Sequence, residues 1–398
     1  MGEGPVTALD FANPYGLAVT ACGPAQAEGE GAAPAPTSAQ IWDLATGAHV
    51  GALKHGAQVK ALQVEKAMCI TGGTDGRVRV WDLDRALLAG AGASPDGSPD
   101  GSHYEQEDDV FQDTPTPQGC TATLAAHTKA VTSLYFDKND MTLVTGSADR
   151  TLRQFDLNAQ RCVQTMDVVW ATSNPLARQT LASPARDDDD DDIVSPFATP
   201  MSSVKRRPVT RRPSGYFGLS PQPQSHYTPV LPTTPSKTPS LHLDKTWDSY
   251  EDFVGAVQFW GYALASGTGD GCVRMWDMRT GQAHRTLVGH TAPVTCLQFD
   301  EYHLVSGARD RAVRVWDLRT GGIVDTLRYD GPVTSVQFDS RKIVAAAGDE
   351  AVHVYNRTTM QHTQLAINGH AAPIERLRFV DRYLVTGSKD CTVKVWAL

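Results

Sequence analysis

The feature that most restricts the fold of this chain is a repeated phrase: an apolar strand, a Gly-Ser-like turn ending in Asp, and a second strand closing on an aromatic residue. The copies read TGGTDGRVRVWDL with Trp81, TGSADRTLRQFDL with Phe155 in the aromatic place, SGTGDGCVRMWDM with Trp276, SGARDRAVRVWDL with Trp316, AAGDEAVHVYN with Tyr355 and TGSKDCTVKVWAL with Trp396. A degenerate first copy ends in IWDL at Trp42. From Trp276 through 316 and 355 to 396 the closing aromatic returns every 39 to 41 residues. Four short strands and their turns occupy such an interval.

The residues between the repeated phrases read as strands. In VTCLQF, Val294, Cys296 and Leu297 to Phe299 fit a short half-buried strand rather than a helix. With 398 residues, the chain could hold two or three ordinary domains or one large β-domain, and the repeat selects the second. The expected fold is therefore all-β, a seven-bladed β-propeller over residues 6–398. The chain begins on an innermost strand, VTALDF from Val6 to Phe11, and stops on the third strand of the last blade. A segment upstream of this chain is expected to supply the fourth strand, because a three-stranded blade exposes an unpaired edge.

The longer intervals mark loop insertions. Residues 86–119 run through AGAGASPDGSPDGSHYEQEDDV and TPTPQG, a composition that cannot bury enough apolar surface to offset its ordering entropy. Residues 168–250 are similar, with an acidic run at 187–192 and a basic run, KRRPVTRR, at 205–212. Both are expected to be disordered, the first on the third-to-fourth-strand side of blade two and the second between blades three and four. A smaller Gly, Ala and Pro insertion covers 23–38. Ser-Pro and Thr-Pro pairs are dense in the two long segments, among them Ser94, Thr114, Ser183, Ser195, Thr199 and Thr234, so proline-directed phosphorylation is an expectation there. The plain alternative is that Pro, Ser and Thr only fill a linker.

Charge and motifs exclude several functions. A formal net charge of -9 is the wrong sign for a whole-chain nucleic-acid binder. Seven cysteines stand singly, with no CxxC pair or Cys/His cluster for zinc, which fits a reducing compartment. The chain carries no run of about 20 apolar residues able to span a bilayer. No GxxxxGK[ST], GxSxG or HExxH phrase occurs, so no enzyme and no cofactor is expected.

The phrases GSADRTLRQFDL and GARDRAVRVWDLRTG identify the chain as a WD-repeat protein. The order of irregular blades narrows this. VTALDFANPYGLAVTA, QIWDLATGAHVGALKHGAQVKALQVE, RTLRQFDLNAQRCVQTMD before a long insertion, and GPVTSVQFDSRKIVAAAGDEAVHVYNRTTMQH resemble the carboxy-terminal propeller of the fungal mitochondrial division adaptor family. The resemblance implies a peripheral protein on the cytosolic face of the mitochondrial outer membrane, whose propeller recruits a dynamin-related GTPase. It also implies an upstream region, not in this chain, that binds a tail-anchored fission receptor. The alternative is a substrate receptor of a ubiquitin ligase or a nuclear scaffold.

Membership of this class implies roles for the recurrent polar residues. A His before the first strand, a Ser or Thr on the second, the turn Asp and the strand Trp share a hydrogen-bonded network, since buried polar groups need partners. Here His127 goes with Asp149, His290 with Asp310 and Trp316, His370 with Asp390 and Trp396, and His55 with Asp75 and Trp81. Blades four, six and one lack part of the set and are expected to be held less rigidly. Propellers of this class engage partners at the residue before each turn Asp and in the loop before the first strand. Arg309 and Lys389 precede Asp310 and Asp390, Arg311 follows on the same turn, and Lys129 and Lys60 lie at the loop preceding or opening a first strand; together they would form a basic arc for an acidic partner segment, the bland alternative being solvated surface charge.

Overall fold

The computed structural model describes residues 4–12, 16–23, 38–91, 119–173, 254–366, 369–380 and 383–397, which form seven antiparallel sheets. The first sheet holds, from inside to outside, β1 (Val6–Ala12), β2 (Leu17–Cys22), β3 (Ser38–Asp43) and β4 (His49–Lys54). The second holds β5 (Val59–Glu65), β6 (Met68–Gly73), β7 (Arg77–Asp82) and β8 (Cys120–Ala125), with helix α1 (Leu83–Ala91) between the last two. β9 (Val131–Asp137), β10 (Thr142–Ser147), β11 (Thr151–Asp156) and β12 (Arg161–Asp167) make the third, followed by helix α2 (Val168–Ser173). The fourth is β13 (Val254–Trp260), β14 (Ala263–Thr268), β15 (Cys272–Asp277) and β16 (Gln282–Val288). β17 (Val294–Phe299), β18 (His303–Ala308), β19 (Ala312–Asp317) and β20 (Ile323–Arg328) form the fifth, and β21 (Ser335–Phe338), β22 (Lys342–Ala346), β23 (Val352–Asn356) and β24 (Gln361–Leu365) the sixth. The seventh has three strands among the described residues, β25 (Ile374–Val380), β26 (Tyr383–Ser388) and β27 (Val393–Ala397).

Each innermost strand packs on its two neighbours, and β25 packs on β1, so the seven sheets close into a β-propeller. Burial follows from that packing. In the fifth sheet β18 reads HLVSGA with five buried positions, whereas β20, at the rim, buries only Leu327. The aromatic residues of the repeat lie between blades: Trp81, Trp276 and Trp316 are at most 1% exposed. Trp396 is only partly buried, because no fourth strand covers its blade among the described residues.

Two insertion boundaries differ from expectation. Residues 86–91, read as the start of a disordered loop, belong to α1, which is anchored by the buried Leu83 and by Leu87 packing in the first blade's core. Residues 168–173, read as the start of the longer insertion, form α2, whose Val168 and Ala171 are buried in a core cluster with Val254 and Trp276. An apolar surface from an adjoining blade orders each of these ends, and composition gives no sign of it. The rest of both insertions (92–118 and 174–250), the smaller one at 24–37, the acidic and basic runs and the Ser-Pro and Thr-Pro sites lie outside the described residues.

The polar network inside the blades has a consistent direction. In blade five, Trp316 Nε1 donates to Ser306 Oγ at 2.8 Å, Ser306 lies 2.8 Å from His290 Nε2, and His290 Nδ1 lies 3.0 Å from Asp310 Oδ2. The hydroxyl accepts from the indole and donates to an imidazole protonated at Nδ1, which in turn donates to the carboxylate. Blade seven repeats this with Trp396, Thr386, His370 and Asp390 at 2.9, 2.8 and 2.9 Å. Blade three keeps His127 on Asp149 at 2.9 Å and on Thr145 at 2.8 Å, with Phe155 donating nothing.

Blade two departs from the expected set. His55 Nε2 meets Thr71, which also accepts from Trp81, but Nδ1 meets the Leu53 carbonyl at 2.9 Å and not Asp75. The Asp75 carboxylate pairs with the guanidinium of Arg79 at 2.7 Å, whereas in blade five Asp310 holds both Arg314 and His290. The blades lacking the preceding His find substitutes. Arg274 pairs with Asp270 in blade four, and His353, on the third strand of blade six, meets Asp349 at 2.6 Å. Trp42 in blade one still donates to Thr20 at 2.9 Å.

A second set of polar contacts holds the ring together. At one place on each innermost strand the sequence reads Asp10, Gln63, Tyr135, Gln258, Gln298, Gln337 and Arg378. Each Gln reaches the backbone of the next blade. Gln63 brackets Phe136 with bonds of 2.7 and 2.9 Å, Gln258 accepts from Phe299 N at 2.7 Å, Gln298 from Phe338 N at 2.8 Å, and Gln337 from Phe379 N. Asp10 does the same for Val64 N at 2.8 Å. Where blade seven meets blade one, the contact is ionic, with Arg378 Nε 2.9 Å from Asp10 Oδ1. The approach there is close: a Cβ at Gly387 of β26 would stand 2.6 Å from a methyl of Val6.

Two predictions follow from the protonation states and from the seam. Burial pushes the His55 imidazole down from 6.5 to about 4, and it also lowers His290 and His370. Burial alone would raise the Asp149 and Asp390 carboxyls, but hydrogen bonds from His127 and Thr151, and from Thr392, Ala371 and His370, outweigh it and leave both below the usual range. Each of these groups holds fewer protons folded than unfolded in acid. Their contribution to stability is thus complete above pH 6.5, falls as His55 is forced to charge between 6.5 and about 4, and falls again as the pH drops below 3.8, the ordinary carboxylate value. The His55 share is on the order of 3 kcal/mol, and His55→Gln flattens the upper limb of a urea-unfolding series against pH. At the seam, Arg378→Ala strands the buried Asp10 carboxylate and costs about 3 kcal/mol. The double variant Asp10→Gln, Arg378→Gln installs the neutral residue used in other blades and recovers more than half of that loss in the same assay.

Candidate functional site

Near the start of each innermost strand one place is held by Thr7, Lys60, Thr132, Gly255, Thr295, Thr334 (immediately before β21) and Glu375 in blades one to seven. The threonines are committed to the wall: Thr7 Oγ1 donates to Val59 O at 2.8 Å, Thr132 to Val254 O at 2.6 Å, Thr295 to Val333 O at 2.6 Å and Thr334 to Ile374 O at 2.8 Å, each in the next blade. Blade four needs glycine here, since a Cβ at Gly255 would stand 2.1 Å from Val294 O. Lys60 and Glu375 replace the hydroxyl with charge.

All of these positions except Thr7 line one cavity of about 550 Å³ at the mouth of the channel, with Arg309, Arg376, Lys389 and the prolines 293, 332 and 373. Arg309 and Lys389 stand immediately before the turn carboxylates Asp310 and Asp390, and their backbone N–H groups donate to Pro293 O and Pro373 O, both at 3.0 Å. The His–Asp contacts therefore fix the turns that carry the two cations. Arg376 is held from both sides, with Nε donating to Thr7 O at 3.0 Å and a terminal nitrogen to Thr334 O at 3.4 Å. The lining thus carries four cations, Lys60, Arg309, Arg376 and Lys389, against one carboxylate, Glu375, which pairs with Lys389 at 2.9 Å.

Of the five basic residues expected to form an arc, the cavity brings together Lys60, Arg309 and Lys389. Arg311 and Lys129 are exposed outside it. Arg311 follows the turn Asp in the left-handed region, at φ 64, with its carbonyl bonded to Tyr329 N. The carbonyl of Lys129 takes a bond from Ser147 Oγ at 3.3 Å. Sequence reasoning missed Arg376. A signal existed, for its place on the other innermost strands is held by Ala8, Ala61, Ser133, Ala256, Cys296 and Ser335, all small. Among the described residues no group of three or more His, Cys, Asp or Glu side chains could hold a metal ion, and no helix is long and apolar enough to cross a membrane.

Comparison with known proteins agrees with the repeat. Residues 48–82, 118–156, 281–317 and 361–397 match the family described as WD domain, G-beta repeat. Mitochondrial division protein 1 of Mycosarcoma maydis is 48% identical over 432 residues, covering 99% of this chain and 49% of that protein. The protein of the same name from Malassezia globosa is 46% identical over 398 residues, with 99% and 51% covered, and that of Aspergillus clavatus is 38% identical over 405 residues, with 98% and 51% covered. The chain spans about half the length of these relatives. Among solved structures, the computationally designed protein Ika8 superposes with a TM-score of 0.54 at 21% identity, covering 100% of this chain and 97% of that one, a likeness of fold alone.

The Lys389–Glu375 pair is partly exposed, with side-chain exposures of 55% and 27%, so it contributes little to the fold. Glu375→Gln is expected to shift unfolding stability by less than about 1 kcal/mol while adding one positive charge to the mouth, as read by urea denaturation at low and high salt.

Proposed function

The chain belongs to the WD-repeat proteins and is homologous to fungal mitochondrial division protein 1, and from that premise we propose that it is the interaction module of a mitochondrial division adaptor. In this reading the propeller binds a dynamin-related GTPase and brings it to the cytosolic face of the mitochondrial outer membrane. A region outside this chain meets the tail-anchored fission receptor. The propeller itself is a binding module, without catalysis, cofactor or nucleic acid. The observation that carries the reading is the likeness to division proteins, sustained at 48% identity over 99% of the chain.

The cationic mouth supplies the docking surface. Lys60, Arg309, Arg376 and Lys389 face one cavity, and Arg311 and Lys129 extend the positive field from turns at the same end of their blades. Such a field chiefly speeds the encounter with an acidic segment and selects against basic ones.

A pull-down of soluble fungal proteins on this chain, beside the same bait carrying Arg309→Glu and Lys389→Glu, tests both parts. The expected result is retention of a dynamin-related GTPase by the first bait and at least about a tenfold loss on the second, equivalent to roughly 1.4 kcal/mol. Equal retention on both baits rejects the docking surface and leaves the adaptor role. Capture of ubiquitin-ligase subunits or a nuclear complex with no dynamin-related protein rejects the role.

A further inference from the structure

The joint between blades seven and one has a cysteine on each side. Cys22 ends β2 of the first blade and stands opposite Val6 in the strand register. It packs against the apolar cluster that joins Val6 and Ala18 of blade one to Val385 of blade seven. Cys391 follows the turn Asp of blade seven, Asp390, in the left-handed region at φ 62. Both thiols are free, and neither is fully buried. No other blade has cysteine at either place.

The repeat shows how close these two places come. In the joint between blades two and three, Gly76 follows the turn Asp at φ 72, and Ser147 stands opposite Val131 as Cys22 stands opposite Val6. A Cβ at Gly76 would lie 3.0 Å from the carbonyl oxygen of Lys129, and Ser147 Oγ lies 3.3 Å from that same oxygen. The joint between blades four and five repeats the direction, since a Cβ at Gly271, φ 76, would stand 3.2 Å from Ala292 O. Lys129 and Ala292 stand two residues before their innermost strands, the place that Gly4 holds in blade one. The backbone of blade one follows the same pattern, with Gly23 N donating to Pro5 O at 2.8 Å as Ala148 N donates to Ala130 O at 3.0 Å. By this equivalence Cys391 and Cys22 approach one carbonyl, that of Gly4, from opposite sides of the joint. Burial first, and then the Cys391 thiolate, push the Cys22 thiol up, as nearness of the two requires. Cys391 Sγ rests 3.7 Å from Lys389 O on its own turn. A disulfide sets its Cβ atoms about 3.8 Å apart, so a rotation of that side chain and a small shift of the turn complete the approach.

We propose that Cys22 and Cys391 form a reversible disulfide that staples blade seven to blade one. In reducing surroundings both remain thiols. Hydrogen peroxide oxidises one of them to a sulfenic acid and releases water; the other thiol attacks that sulfur, forms the S–S bond and releases a second water. Two electrons pass from the pair of sulfurs to the peroxide, and both thiol protons leave in water. A dithiol reductant restores the thiols by exchange. The bond closes nearly the whole chain into one loop, across the joint that Arg376 and Arg378 otherwise hold through side-chain contacts. Such a cross-link acts by restricting the unfolded chain, and long loops gain most.

The test uses the full chain with the exposed Cys162 changed to Ser, so that cross-links between molecules do not enter. The protein is treated with hydrogen peroxide and its remaining thiols are blocked, before peptide mapping without reductant and a melting curve. The expected result is a linked peptide pair holding Cys22 and Cys391 as the main cross-link, with a melting temperature raised by on the order of 5 °C and returned to its first value by dithiothreitol. Two variants remove the bond with residues the fold already uses at these places: Cys22→Ser, as in Ser147 and Ser388, and Cys391→Gly, as in Gly76 and Gly271. Each is expected to fold and to lose both the linked pair and the rise. A main cross-link between other cysteines overturns the proposal, as does sulfenic or sulfinic acid at either position without a linked pair. A rise that survives in either variant, or a linked pair with no rise, overturns the staple.

Discussion

The innermost strands of neighbouring blades belong to separate sheets, so no ladder of backbone hydrogen bonds runs around the channel. Side chains must cross each gap, and two belts of them do. Nearer the mouth, threonine hydroxyls reach the next blade's carbonyls, from Thr7 to Val59 and from Thr295 to Val333. Deeper down, Gln63, Gln258, Gln298 and Gln337 reach the next blade's amides. Both belts close with arginine at the one joint that the chain does not itself cross, Arg376 onto Thr7 O and Arg378 onto Asp10. Asp10 is 3% exposed, and burial raises its carboxyl while Arg378 and the Val64 and Phe11 amides pull it back. Both of its oxygens are bonded, Oδ1 accepting from Phe11 N–H and Oδ2 from Val64 N–H.

The blade networks decide where the mouth's charges stand. A complete set of His, hydroxyl, Trp and Asp occurs in blades five and seven, and those blades carry Arg309 and Lys389 before the turn Asp. Blades four and six, without the preceding His, have Gly269 and Gly348 in that place. The cations are therefore mounted on the turns whose carboxylates are pinned by an imidazole, and the side chain begins from a backbone with little freedom. Blade six lies between the two charged turns and offers glycine, so nothing there intrudes between them.

Most of the architecture was legible because the repeat writes its packing demands into every copy. The His–Asp contacts that the spacing suggests stand in blades three, five and seven but not at His55, where Asp75 pairs with Arg79, although in blade five Asp310 holds both Arg314 and His290. Which partners a carboxylate holds depends on distance, which a motif does not carry. The Asp10–Arg378 pair could have been read by aligning LDF, LQV, LYF, VQF, LQF, VQF and LRF, where charge replaces glutamine only in the first and last units. The ordered ends of the insertions, α1 and α2, were not legible, since each is held by apolar surface of a sheet distant in sequence. The mouth was half legible: residues before the turn Asp announce themselves, whereas Arg376 is distinguished only by comparison with small residues in six other strands.

The joint between β25 and β1 is also a statement about assembly. Its two sides are unlike, a guanidinium on one and a buried carboxylate on the other, so the contact is head-to-tail and lacks the self-complementarity of a two-fold interface. Head-to-tail contacts make closed rings only when the accumulated rotation returns the last unit to the first, and otherwise they extend without limit. Seven sheets satisfy that condition within one molecule, where the two sides meet at the high effective concentration of a single chain. Were the sides to part, the same complementarity would join the last blade of one molecule to the first of another. The Asp10–Arg378 pair is thus one of the contacts that turn a head-to-tail series of sheets into a closed ring.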